Sequence, residues 1–143
     1  MSARPRDRRA TRAPVDVHAV ALWPGAGSSS DHPSLAAIAE ALEPLPVARF
    51  DFPYRREGRR APDRANKLIA SLRADVAELC ERLGTTPEHV VLGGRSMGGR
   101  MCSMAVADGL PAAALVLIAY PLHPPGKPDR LRIEHLPQIT VPC

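Results

Sequence analysis

Apolar residues fall along this chain in two alternating patterns. Nearly unbroken apolar runs, the mark of strands buried on both faces, occur at 15–23, 47–52, 89–93 and 113–120. Between them apolar positions recur every three or four residues, as on one face of a helix. Leu35, Ile38, Ala39 and Leu42 predict a helix that opens at Pro33 and Ser34, runs to about Glu43 and is ended by Pro44 and Pro46. Leu68, Ile69, Leu72, Val76, Leu79, Cys80 and Leu83 predict a longer one over 63–83, with Gly84 as its C-terminal stop. A third follows Ser96 and runs to about Asp108, with Gly109 and Pro111 behind it. Cys80 and the methionines Met97, Met101 and Met104 sit at helical spacing and read as packing. Residues 53–62 read as a basic loop, 121–128 as a proline-stiffened loop, and 129–135 as room for one helical turn. The run 139–143 reads as a fifth strand just beginning.

Strands alternating with helices call for right-handed crossovers and a parallel sheet covered on both faces. The expected strand order is 2-1-3-4, with the fifth strand outside the fourth. Reversal of the strand order between strands one and three then opens a ligand crevice at their C-terminal ends. Two loops reach that crevice: the small-residue loop 24–32 after strand one and the glycine-lined turn after strand three.

The second of these carries chemistry. Gly94-Arg95-Ser96-Met97-Gly98 fits G-x-S-x-G, the nucleophile elbow, between an apolar strand and a helix. Glycines two before and two after the serine let strand and helix approach closely. Ser96 is the candidate nucleophile, and the N–H groups opening the next helix point where an oxyanion would form. Met97 N–H is one expected oxyanion donor, and Ala26, within Gly25-Ala26-Gly27, the other. A serine nucleophile also needs a base. His18 falls in a strand and His89 at the wrong edge of the sheet, whereas His32 and His123 stand in loops at the correct end as possible substitute bases. Two rival motifs fail on their residues. A phosphate loop lacks G-K-[ST], since Gly98 is followed by Gly99 and Arg100; a dinucleotide fingerprint over 25–30, with Asp51 as its acid, has Ser30 where the third glycine belongs. No metal and no cofactor are therefore expected.

Composition adds location and partners. The net charge of +4 is carried wholly by residues 1–14, whose five arginines outnumber the lone Asp7. The expected organisation is a basic disordered tail over 1–14 and one α/β domain over 15–143. A neutral body argues against a specific nucleic-acid partner. No run is long enough to span a membrane, and no apolar stretch of secretory type follows the arginines. Three scattered cysteines fit a reducing compartment, so a cytoplasmic location is expected. Arg55, Arg56, Arg59 and Arg60 form a basic cluster, read as a solvated face or as an attractor of an anionic substrate.

Taken with Pro24-Gly25-Ala26-Gly27, Asp51-Phe52-Pro53-Tyr54, Gly58 to Arg64 and Tyr120 to Pro128, the serine motif Gly93 to Arg100 resembles a bacterial branch of the α/β-hydrolases. This is the dienelactone-hydrolase-like branch of predicted hydrolases, with a eukaryotic relative in a subunit of the nonspecific-lethal histone acetyltransferase complex. The resemblance covers about residues 15–143. It implies an α/β-hydrolase-like, doubly wound, mostly parallel sheet, truncated after its fourth or fifth strand. In that family the acid and histidine of the triad lie in segments beyond the position of Cys143. The implied activity is hydrolysis of an ester, thioester or related acyl bond through Ser96, impaired by loss of those segments. The implied partner is a small-molecule acyl substrate, and an unfinished sheet edge adds self-association. The alternative is a non-catalytic binding or scaffold module built on the same fold.

Overall fold

The computed structural model describes residues 15–143; the tail expected over 1–14 lies outside the described residues. Four strands, β1 (Ala19–Trp23), β2 (Val47–Arg49), β3 (Val90–Arg95) and β4 (Ala114–Ile118), form one sheet. Every pairing is parallel and the order is β2-β1-β3-β4, as the alternation of elements required. Four helices connect or flank them: α1 (Pro33–Ala41), α2 (Pro53–Arg56), α3 (Ala65–Leu83) and α4 (Met97–Ala107).

The sheet is covered on both faces, and β1 shows how. Its side chains alternate, so Val20 and Leu22 pack with Leu35 and Ile38 of α1 on one face. Ala19, Ala21 and Trp23 face the larger core on the other, with Leu68, Leu72, Val76 and Leu79 of α3 and Met101 and Ala105 of α4. Burial on two sides explains why β1 reads as an unbroken apolar run. Gly84 ends α3 in the left-handed region at φ 65°, and Thr85 N–H returns to the Cys80 carbonyl at 3.0 Å. Cys80 and Cys102 are buried, as apolar packing at Cys80 required.

Several expected boundaries move. The first strand starts at Ala19 rather than residue 15, and the second stops at Arg49 rather than 52. Phe52 instead N-caps α2, a helix of four residues within the segment read as loop, opened by Pro53 at a position where a missing N–H costs nothing. Phe52 and Tyr54 are both fully buried there, their rings stacked at 6.4 Å. Before β3 the chain makes a single 3-10 turn, Pro87–His89, so His89 is not in the strand. Residues 129–135 hold no helix; the turn forms later, at Leu136–Gln138. The expected fifth strand over 139–143 does not form. One ladder-like bond survives, from Leu115 N–H of β4 to the Pro142 carbonyl at 2.8 Å. Pro142 has no N–H with which to continue it.

Candidate active site

β3 and α4 meet at Ser96, which caps the helix with φ 51° and ψ −116°. A non-glycine residue at such angles carries about 1–3 kcal/mol of strain and persists only where its surroundings over-determine it. The surroundings are visible. Ser96 N–H is held by the Ile118 carbonyl at the end of β4, at 2.8 Å, and its own carbonyl accepts Arg100 N–H at 3.1 Å as α4 begins. Beneath the turn lies the Trp23 carbonyl. A β-carbon added at Gly94 or at Gly98 would come within 2.2 Å of that oxygen, so both positions require glycine. At Gly93 the obstacle is the Val116 carbonyl of β4, at 2.4 Å.

The loop after β1 reaches the same place. A β-carbon on Gly25 would sit 3.5 Å from the Ser96 β-carbon, and Ser28 N–H closes a turn on the Gly25 carbonyl at 3.1 Å. This loop is tied to the one after β2 through Asp51, which accepts both Ser30 N–H and Ser30 Oγ–H at 2.8 Å. Asp51 is thus a loop clamp.

A cleft of about 390 Å³ opens over the serine, lined by Ala26, Ser96, Met97, Arg100, His123 and Arg132 together with three prolines. Ser96, Ala26 and Met97 are therefore brought together in one cleft. Met97 is the first residue of α4, so its N–H has no intrahelical acceptor.

The two candidate bases part company. His32 N-caps α1, its Nδ1 accepting Ser34 N–H at 3.2 Å and lying 2.7 Å from Ser34 Oγ, and it does not line the cleft. His123 does line it. Its Nδ1 lies 2.9 Å from the Pro124 carbonyl. A carbonyl only accepts, so Nδ1 is the donor, which leaves Nε2 as the acceptor of the neutral ring. Neither makes a hydrogen bond to Ser96. His18 and His89 stack on each other at 4.2 Å beyond the opposite edge of the sheet, both bonded to Asp16.

His135 was passed over by the sequence reasoning. Its Nε2 lies 2.7 Å from Ser103 Oγ, whose proton goes to the Arg100 carbonyl. Nε2 is therefore the donor, and burial followed by the Arg100 cation holds the ring's pKa below its usual value.

Arginines at the site also differ from those singled out by the sequence. None of Arg55, Arg56, Arg59 and Arg60 lines the cleft, and Arg59 is taken up by Glu57 at 2.7 Å and Asp63 at 3.0 Å. Arg100 and Arg132 stand there instead. Arg100 was legible, since it follows Ser96 by one helical turn and shares its face. Nothing in the local pattern around Arg132 announces it. No cluster of three or more His, Cys, Asp or Glu side chains able to hold a metal exists among the described residues.

A parallel sheet in this order, with a serine strained at the turn between its third strand and the next helix, defines an α/β-hydrolase fold. The chain belongs to the family described as Alpha/beta hydrolase domain, whose profile covers residues 16–143. Among solved structures it is similar to an alpha/beta hydrolase from Sphaerobacter thermophilus DSM 20745, at 25% identity and a TM-score of 0.57, over 79% of this chain and 41% of that one. The structure of DcsB in complex with its substrate analogue matches at 18% identity and 0.57, over 80% and 42%, and shows the fold alone. A bacterial heroin esterase matches at 24% and 0.49, over 76% and 36%. The chain thus spans about two fifths of the length of these structures. No curated protein matches it.

Proposed function

We propose that this chain carries the nucleophile and oxyanion half of a serine hydrolase site, acting on an ester, thioester or related acyl bond of a small molecule. The observation that carries the reading is the backbone of Ser96: a strained, glycine-flanked serine between a buried strand and a helix N-terminus is what a nucleophile elbow requires. In the reaction Ser96 Oγ attacks the acyl carbon and its proton passes to a base. The N–H groups of Met97 and Ala26 stabilise the oxyanion of the tetrahedral intermediate. Collapse expels the alcohol or thiol, which takes up the proton, and leaves an acyl-serine that water cleaves. His123 is the substitute base of this reading, because it lines the cleft and its Nδ1, not its Nε2, is engaged by the Pro124 carbonyl. The motifs around Ser96 and the loop after β1 support placement in the dienelactone-hydrolase-like branch. Three free cysteines, and the absence of any described helix long and apolar enough to cross a membrane, support a cytoplasmic location.

A fluorophosphonate probe tests the reading. Covalent labelling is expected on Ser96, absent in Ser96→Ala and slowed about a hundredfold in His123→Ala, at the lower end of general-base contributions. A second reading, a non-catalytic binding module, is favoured by the missing hydrogen bond between Ser96 and any described histidine. Wild-type chain that resists the probe as completely as Ser96→Ala, together with a partner pull-down that Ser96→Ala leaves unaffected, would favour it.

A further inference from the structure

A second, larger cavity of about 710 Å³ adjoins the serine cleft. The two share Arg100 and Arg132, so these side chains stand at the junction. The serine cleft has no carboxylate in its lining, and the larger cavity adds Lys127 and Arg130 against Asp129 and Glu134. Cations therefore exceed anions throughout.

The Arg132 backbone is fixed, and neither arginine is in an ion pair of the described residues. Arg100 Nε is buried with no hydrogen-bond partner among the described residues, an arrangement that is costly in a folded chain. Arg132 is pinned by its backbone: its N–H donates to the Leu122 carbonyl, and its carbonyl accepts the Tyr120 hydroxyl, each at 2.7 Å. Neither guanidinium appears in the ion pairs of the described residues. Burial and the repulsion of Arg132 draw the Arg100 pKa down, which an anion between them would reverse.

We propose that Arg100 and Arg132 form a subsite for a phosphate group carried on the organic ligand that reaches Ser96. Two guanidinium forks present more donors than one carboxylate's two oxygens can engage. A phosphomonoester offers three terminal oxygens and close to two negative charges, enough for both forks. This extends the hydrolase reading by naming its substrate class, a phosphate-bearing acyl ester or thioester, and rests on that reading only for the reaction.

Calorimetric titration of the full chain with methyl phosphate tests the subsite without turnover. Saturable binding is expected, weakened at least about tenfold by Arg132→Gln and by Arg100→Met, as loss of one charge-assisted contact implies. Arg132→Gln alters a partly exposed side chain and keeps the test valid if Arg100→Met fails to fold. Methyl phosphate should also slow probe labelling of Ser96 in the wild type and not in Arg132→Gln. Absent binding, or binding that both variants leave unchanged, overturns the proposal. So does equally tight binding of monomethyl succinate, or binding of inorganic phosphate alone, which would mark a site for the free ion. If methyl phosphate binds through the arginines while Ser96 resists the probe, the acyl-transfer reading falls and the subsite stands. A matched pair of esters completes the test: 2-acetoxyethyl phosphate is expected to exceed 2-methoxyethyl acetate at least about tenfold in kcat/KM, with the preference lost in Arg132→Gln.

Discussion

Ser96 keeps its strained backbone because the atoms around it leave no alternative. The Trp23 carbonyl occupies the space that a β-carbon at Gly94 or Gly98 would need, and backbone cannot yield as a flexible side chain would. Gly98→Ala is therefore expected to destabilise the chain by about 2–4 kcal/mol, in the range of core overpacking, and to abolish probe labelling. Chemical denaturation checks the first and gel fluorescence the second. Asp75 gives the opposite case. Its buried carboxyl accepts the Trp23 indole N–H at 3.3 Å, and burial raises its pKa against the smaller opposing effect of that bond. The folded chain thus binds this proton more tightly than the unfolded one, and the resulting stabilisation is lost as pH rises through the folded value. Asp75→Asn keeps an acceptor for the indole and removes the charge. It is expected to raise Tm at pH 7, with about 4 °C for each 1 kcal/mol gained, and to lose that advantage as pH falls toward 3.8. Melts at both pH values check it. At this scale the sequence was legible where one residue type alone fits: the glycines and Ser96 announce themselves. Arg132 did not, because its role comes from a position in space that only the folding of the segment after β4 creates.

Elements were legible by period and less so by boundary. β1, β3, β4, α3 and α4 carry the unbroken or helical patterns that two-sided burial imposes. α2 was missed since four residues are too few to show a period, and its proline and arginines read as loop. The expected strand over 139–143 failed for a chemical reason, the absent N–H of Pro142. Loops that frame the cleft depend on each other through Asp51 and Ser30. Asp51→Ala leaves the Ser30 N–H without its acceptor. It is expected to cost about 2 kcal/mol, as loss of a hydrogen bond to a charged group does, and to slow Ser96 labelling several-fold by loosening the loop that holds Ala26. Labelling time courses, alongside melts, separate that effect from global unfolding.

For the whole molecule the outer edge of β4 bears on assembly. The following chain meets it at the Leu115–Pro142 bond, and Val116 is 41% exposed. Edges of this kind template pairing with a second chain. Concentration-dependent self-association is expected by sedimentation velocity, and Val116→Lys should shift it toward monomer while leaving the Ser96 labelling of the monomer intact. Sedimentation unchanged across concentration would discount the edge as an interface. Trp23 ties these scales together. It is the one tryptophan of the chain, fully buried and stacked on Phe50 at 5.1 Å. Its carbonyl seats the serine turn and its indole touches the Asp75 carboxyl. Its fluorescence is therefore an optical gauge that the fold itself has installed, in which emission follows the seating of the serine turn and quenching follows the proton on Asp75, with no added dye.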